Sequence, residues 1–154
     1  MAEVVLRELA RGTAIGPIRT LADVLVVSSV GTGPWHVGEP MDPRARAALA
    51  RRDYDGDAHV ARQVDREALH AADLVVCLDR RHLETLRDLA GDPALEERLV
   101  MLRGFDPSSG GASDIADPYY GEARDFDECL ANVEASCRGL ASSLARTLGA
   151  EPSP

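Results

Sequence analysis

Three short apolar runs rich in valine and leucine punctuate a chain that is otherwise patterned for helices, and their separation decides what it can fold into. Val24–Ser28, Leu74–Leu78 and Leu99–Leu102 have the length of buried strands and are too short for core helices. Between them lie helical patterns at Pro43–Arg52, Arg66–Ala71 and Arg80–Leu89. Strands that alternate with helices imply a parallel sheet, so the predicted fold is α/β, a three-layer sandwich covered on both faces.

Two more helices frame this unit. Ala2–Arg11 places Val5, Leu6 and Leu9 on one face, but no Ser, Thr, Asp or Asn precedes it as a cap, an omission worth about 1 kcal/mol. Near the other end, Phe126, Cys129, Leu130, Val133, Cys137, Leu140, Leu144 and Leu148 recur at spacings of three and four. They predict one apolar stripe on a helix from Asp125 to Leu148. Gly149 ends it, and 149–154 reads as a disordered tail.

At 154 residues with 45% hydrophobic and 28% charged composition, the chain reads as one globular domain over 1–154. The net charge of −9 argues against nucleic acid and anionic membranes as partners. The apolar runs cannot span a bilayer, and Glu3 and Glu8 are unlike a signal peptide. Cys77, Cys129 and Cys137 have no disulfide or metal spacing, and read as buried structural thiols. The four histidines, His36, His59, His70 and His82, show no metal motif either. A reduced, cytoplasmic protein without metal or cofactor is the expectation.

A site is expected where the strands end, because ligands of open α/β sheets bind outside the carboxyl edge. The first run leads into Ser28–His36, the second into Asp79–His82, and the third into Arg103–Asp106 and then Asp117-Pro118-Tyr119-Tyr120. Asp117 before proline can simply open a turn, or it can be a functional carboxylate. Tyr119 and Tyr120 are two of only six Phe, Trp and Tyr residues, and their adjacency in a loop suggests a flat wall for a ring. Trp35, the single tryptophan, reads equally as a packing residue or as the opposite wall. Gly31-Thr32-Gly33 makes a poor dinucleotide loop, since Pro34 follows and His36 stands where a third glycine would be required.

Several motifs in order, Met1-Ala2-Glu3, Ser29–Gly38, His59–Gln63, Cys77-Leu78-Asp79, Phe105-Asp106-Pro107, Asp117–Gly121 and Asp125-Phe126, resemble the low-molecular-weight protein-tyrosine phosphatases. The Gly-Thr-Gly-x-Trp-His-Val-Gly form is similar to the actinobacterial branch. The resemblance implies hydrolysis of phosphotyrosine or small aryl phosphate esters through a phosphocysteine. It assigns Asp117 as general acid and base, and Trp35, Tyr119 and Tyr120 as the substrate slot. It assigns Ser29 and His59 as braces of the phosphate loop, with Asp79 a carboxylate near that loop's arginine.

One part of the family pattern does not occur. No cysteine is followed six residues later by arginine: Cys77 meets Leu83, Cys129 meets Ala135 and Cys137 meets Ser143. The resemblance therefore implies a segment before Met1 that carries the Cys-x5-Arg-Ser-Pro loop and a central first strand between the runs at Val24–Ser28 and Leu74–Leu78. Without it, Ser29, His59 and Asp79 are expected to lack partners, the sheet to hold a gap, and the chain to be inactive and aggregation-prone. A non-catalytic relative or interaction module is the alternative. An arsenate reductase of the same fold ranks below it, for want of a cysteine pair for disulfide relay.

Overall fold

The structure, a computed structural model, describes residues 1–149. Its elements run α1 (Ala2–Gly12), a 3-10 turn (Leu21–Asp23), α2 (Pro43–Ala50), α3 (Arg66–Ala71), β1 (Val75–Cys77), α4 (Arg80–Ala90), α5 (Pro93–Glu96), β2 (Leu99–Met101), a second 3-10 turn (Leu102–Phe105) and α6 (Ala123–Gly149). Gly149 is the last residue of α6, and the rest of the expected tail, 150–154, lies outside the described residues.

Aspartates start four of the helices. Asp42, Asp65, Asp79 and Asp92 accept hydrogen bonds from the amides of Arg44, Ala68, His82 and Ala94 at 2.7, 2.7, 2.7 and 2.9 Å. Each such cap contributes about 1 kcal/mol. Helix α1 has no side-chain cap. It is held by packing instead, with Val5 fully buried.

Strands β1 and β2 are parallel, with Val75 opposite Leu99, Val76 opposite Val100 and Cys77 opposite Met101. Successive strand side chains face opposite ways, so the β1 segment divides the interior. Leu74, Val76 and Leu78 pack into a core of α1, α2 and α6 that includes Val5, Leu49, Leu130 and Leu140. Val75 and Cys77 join Leu69 of α3, Leu86 of α4 and Leu95 of α5 in a second cluster on the other face. The parallel pairing and the helical cover on both faces follow the sequence pattern.

Helix α6 anchors the larger core. Phe126, Leu130, Val133, Cys137 and Leu140 are buried along one stripe, which is what keeps so long a helix in place. The stripe fades sooner than expected: Leu144 is half-buried and Leu148 is 38% exposed, because little remains beside the last turn to cover it.

The run Val24–Ser28 is the main departure. It forms no strand, and Val26 is 95% exposed. A strand needs a neighbour that offers amides and carbonyls at ladder spacing, and β1 and β2, the strands among the described residues, pair with one another. Part of the backbone of the run and of Ser29 beyond it is engaged in other ways. The Val24 and Leu25 amides return to the Leu21 carbonyl. Arg7 donates from both Nε and Nη2 to the Val27 carbonyl at 3.0 and 2.6 Å, and Arg62 donates to the Ser29 carbonyl at 3.2 Å. An open groove of about 340 Å³ separates the run from α1.

Candidate functional site

The carboxyl end of β1 leads directly to the site. Leu78 and Asp79 follow the strand, and the Leu78 carbonyl accepts the Ile115 amide at 2.8 Å. That bond, with Ile115 buried in the main core, pins the loop that carries Asp117. Arg80 reinforces it from α4, with Nε 3.3 Å from the Asp114 carboxylate.

Beyond this anchor the loop folds on itself. The Tyr119 amide donates to Asp117 Oδ1 at 3.0 Å, and the Gly121 amide to the Pro118 carbonyl at 2.8 Å. Asp117 thus opens the turn, as an aspartate before proline can. It also lines a cavity of about 210 Å³ together with Ala2 of α1, Asp79, His82 and Cys129. The two readings of Asp117 left open by its sequence are therefore compatible.

The amino end of α1 also borders this cavity, with Met1 and Ala2 among its walls. A helix amino terminus carries free amides and partial positive charge. The described site therefore brings together a positive helix end, a carboxylate loop and the Asp79 cap of α4.

The aromatic residues form an open rim. Tyr119 and Tyr120 meet edge to face, ring centres 5.1 Å apart. Tyr120 is 98% exposed and Tyr119 42%. Trp35 is 79% exposed, with its ring folded over Gly33, where an added Cβ would overlap the indole. Neither Trp35 nor Tyr119 nor Tyr120 lines the cavity. The ring that meets Tyr119 from the Gly31–Gly38 loop is His36, at 5.8 Å between centres. His36 Nδ1 is held by Glu39 at 2.8 Å. Nothing in the sequence marks His36 as a partner of the tyrosine pair.

Ser29, His59 and Asp79, expected to lack the partners that a phosphate loop would give them, are engaged by other groups. Ser29 Oγ donates a short hydrogen bond to the Glu3 carboxylate, and His59 Nδ1 lies 3.3 Å from the same group. Arg7 meets its other oxygen at 2.7 Å. Glu3, in the first turn of α1, gathers the side chains that the resemblance assigned to bracing a phosphate loop. Asp79 is engaged as the cap of α4, with His82 Nδ1 at 3.4 Å. The Gly31–Gly38 loop is zipped to the segment carrying His59 by backbone bonds from Gly31 to Arg62 and from Gly38 to Ala61.

The thiols offer no ready nucleophile. Cys129 borders the cavity, but burial pushes its thiol up to about 11, with the nearby Asp117 charge adding to the effect. Burial likewise raises Cys77 to about 11 and Cys137 to about 12. The nucleophilic form is the thiolate, and at neutral pH these three are thiols. Among the described residues no cluster of His, Cys, Asp and Glu is arranged for a metal ion, and no helix is long and apolar enough to cross a membrane.

Comparison with known proteins identifies the family. The family model described as "Low molecular weight phosphotyrosine protein phosphatase" matches residues 1–150. The low molecular weight protein-tyrosine phosphatase A of Mycobacterium tuberculosis H37Rv is 49% identical over 123 residues, 79% of this chain and 72% of that protein. The low molecular weight protein-tyrosine-phosphatase of Streptomyces coelicolor is 41% identical over 145 residues, covering 94% and 84%. Among solved structures, YfkJ from Bacillus subtilis superposes with a TM-score of 0.80 at 26% identity, covering 95% of this chain and 86% of that one. A protein tyrosine phosphatase from Entamoeba histolytica has the same fold, with a TM-score of 0.84, 22% identity and coverage of 95% and 88%. With a family model matched along 1–150 and relatives at 49% and 41% identity, the chain belongs to the low molecular weight phosphotyrosine protein phosphatase family.

Proposed function

We propose that the cavity beneath Asp117 serves the hydrolysis of phosphotyrosine or small aryl phosphate monoesters, with Asp117 as the proton donor to the departing phenol. The observation that carries this reading is that Asp117 and the amino end of α1 line one cavity. An anion at that helix end is stabilised by free amides and by the helix dipole. A carboxyl group across the cavity is then placed to protonate the ester oxygen. A phenolate is a poor leaving group at neutral pH, since phenols ionise near about 10. A positioned acid contributes ~10²–10⁴-fold to such a step. Tyr119, Tyr120 and Trp35 supply the aromatic rim for the substrate ring. Ser29, His59 and Asp79 act on the loop that holds the phosphate.

The nucleophile belongs, in this reading, to a Cys-x5-Arg-Ser-Pro segment outside these 154 residues. It attacks phosphorus as the phenol leaves, and Asp117 then deprotonates the water that hydrolyses the phosphocysteine. The adjoining strand fills the space beside Val24–Ser28. The raised, buried thiols of Cys77, Cys129 and Cys137 favour this over an internal nucleophile. The same burial favours, as second reading, a non-catalytic module that binds phosphotyrosine or a protein surface without cleaving it.

The decisive experiment pairs aryl phosphate hydrolysis by the 154-residue chain with hydrolysis by the same chain preceded by its upstream reading frame. No turnover in the first and turnover in the second supports the phosphatase reading. Turnover in neither supports the module.

A further inference from the structure

We propose that Arg44 is a positioning residue for the loop that carries Asp117, Tyr119 and Tyr120. The site reading above rests on where that loop stands, and Arg44 is the charged side chain that grips its far half. Arg44 Nη1 donates to the Gly121 carbonyl at 3.1 Å, and Nη2 to the Tyr119 carbonyl at 3.0 Å. These partners lie 77 and 75 residues away in sequence. The near half is anchored separately, at Ile115 and Asp114.

The guanidinium is itself fixed on three sides. Asp42 accepts from Nε at 3.1 Å and from Nη2 at 2.8 Å, a bidentate pair. Its Oδ1 also accepts the Arg44 amide at 2.7 Å, so one carboxylate both starts α2 and orients the arginine. Arg44 Cζ lies over the Phe126 ring, 4.5 Å from its centre, and 5.8 Å from the centre of the Tyr119 ring. Phe126 is buried at the start of α6. Arg44 thus ties the turn of the loop to α2 and α6 at once.

The chemistry of the side chain matters. A planar fork can meet a carboxylate through two nitrogens and still present donors to two carbonyls, while stacking on a ring. Lysine has one nitrogen at the end of a flexible stem. It can keep the charge near Asp42 but cannot hold both carbonyls. The inference deepens the phosphatase reading, because Asp117 must be within hydrogen-bond reach of the leaving oxygen. A misplacement of about 1 Å costs on the order of 10²-fold in rate.

The test uses R44K, with R44Q as a second variant. In the 154-residue chain, amide hydrogen exchange is measured across 117–122, with α6 and β1 as references. Faster exchange at Tyr119 and Gly121, by about tenfold or more, is expected with the references unchanged. Unchanged exchange in the loop of both variants overturns the proposal. In the chain with its upstream reading frame, kcat/KM, which reports the steps up to departure of the phenol and not the later hydrolysis of the phosphocysteine, is measured on phenyl phosphate and on p-nitrophenyl phosphate. A displaced acid lowers the rate on phenyl phosphate by on the order of 10²-fold and on p-nitrophenyl phosphate by only a few-fold, since that phenol leaves without much help. Equal losses on both esters overturn the positioning role. If the unmutated extended chain hydrolyses neither ester, the phosphatase reading fails, and the exchange result alone decides whether Arg44 sets the loop.

Discussion

Gly139 offers a sharp test of the packing, because local propensity and tertiary contact give opposite signs there. It lies within α6, where replacing an exposed glycine by alanine typically stabilises by about 1 kcal/mol. Here a Cβ would stand 1.8 Å from the Phe105 carbonyl oxygen and 2.8 Å from its carbon. The obstacle is backbone, at the end of the Leu102–Phe105 turn, and no side-chain rotation clears it. Either α6 or the turn must move by more than an ångström. Neither moves easily. Leu102 is buried on one side, and Arg103 reaches Asp106 at 2.5 Å on the other. Overpacking of this kind costs about 1–3 kcal/mol. Because the obstacle is backbone, the upper part of that range applies, about 2–3 kcal/mol; set against the propensity gain of about 1 kcal/mol, Gly139→Ala should destabilise by about 1–2 kcal/mol, or about 2–8 °C in Tm for a chain of this length. Gly104→Ala is the control, since an added Cβ there meets nothing within 4 Å. The assay is urea unfolding followed by circular dichroism, with the slope checked for constancy. A Gly139→Ala midpoint at or above that of the unmutated chain would refute the reasoning.

Other outcomes are equally open to measurement. Asp117→Asn in the extended chain should lower kcat/KM on phenyl phosphate by ~10²–10⁴-fold and affect that on p-nitrophenyl phosphate much less; equal effects would remove Asp117 as the acid. Leu130→Ala, at a fully buried position between α1, α2 and α6, should cost about 2–5 kcal/mol by chemical denaturation. The raised thiols add stability below the ordinary thiol range near about 8.5, and lose it as pH climbs towards about 11–12. Stability should therefore fall on the alkaline side, and fall less in Cys137→Ala; a pH-independent midpoint between 8 and 11 would contradict this. Asp106 runs opposite: hydrogen bonds from Ser108, with Arg103 adding to them, hold its carboxyl below the usual range. Its contribution is present above the ordinary aspartate range and lost as acid protonates it, so Asp106→Asn should flatten the acid limb of a stability–pH profile.

How much of this was readable in the residues depends on the distance over which each feature is determined. The α6 stripe and the helix starts at Pro43, Arg66 and Arg80 are written in local periodicity and in the aspartate before each. Helix α5 was overlooked although Asp92-Pro93 carries the same cap-and-proline signal, because four residues are too few for a period. Val24–Ser28 has strand composition, but composition cannot supply a neighbour, and the run lies unpaired with Val26 in solvent. Asp117 and the tyrosine pair stood out through their local cluster. Glu3 and Arg44 did not: one gathers Ser29 and His59, the other reaches Tyr119 and Gly121. Such partners become visible only once the chain has folded. Trp35 was recognised by rarity, while the ring that meets Tyr119 is its neighbour His36.

The partition of side chains by β1 has a thermodynamic corollary for the site. The cavity draws Ala2 and Cys129 from one hydrophobic compartment and His82 from the helix that covers the other. A phosphate ester seated there would clasp two separately packed halves across their seam. Its binding energy then adds to the coupling between them, so the unliganded protein should open one half before the other in hydrogen exchange, and the occupied protein should release both together.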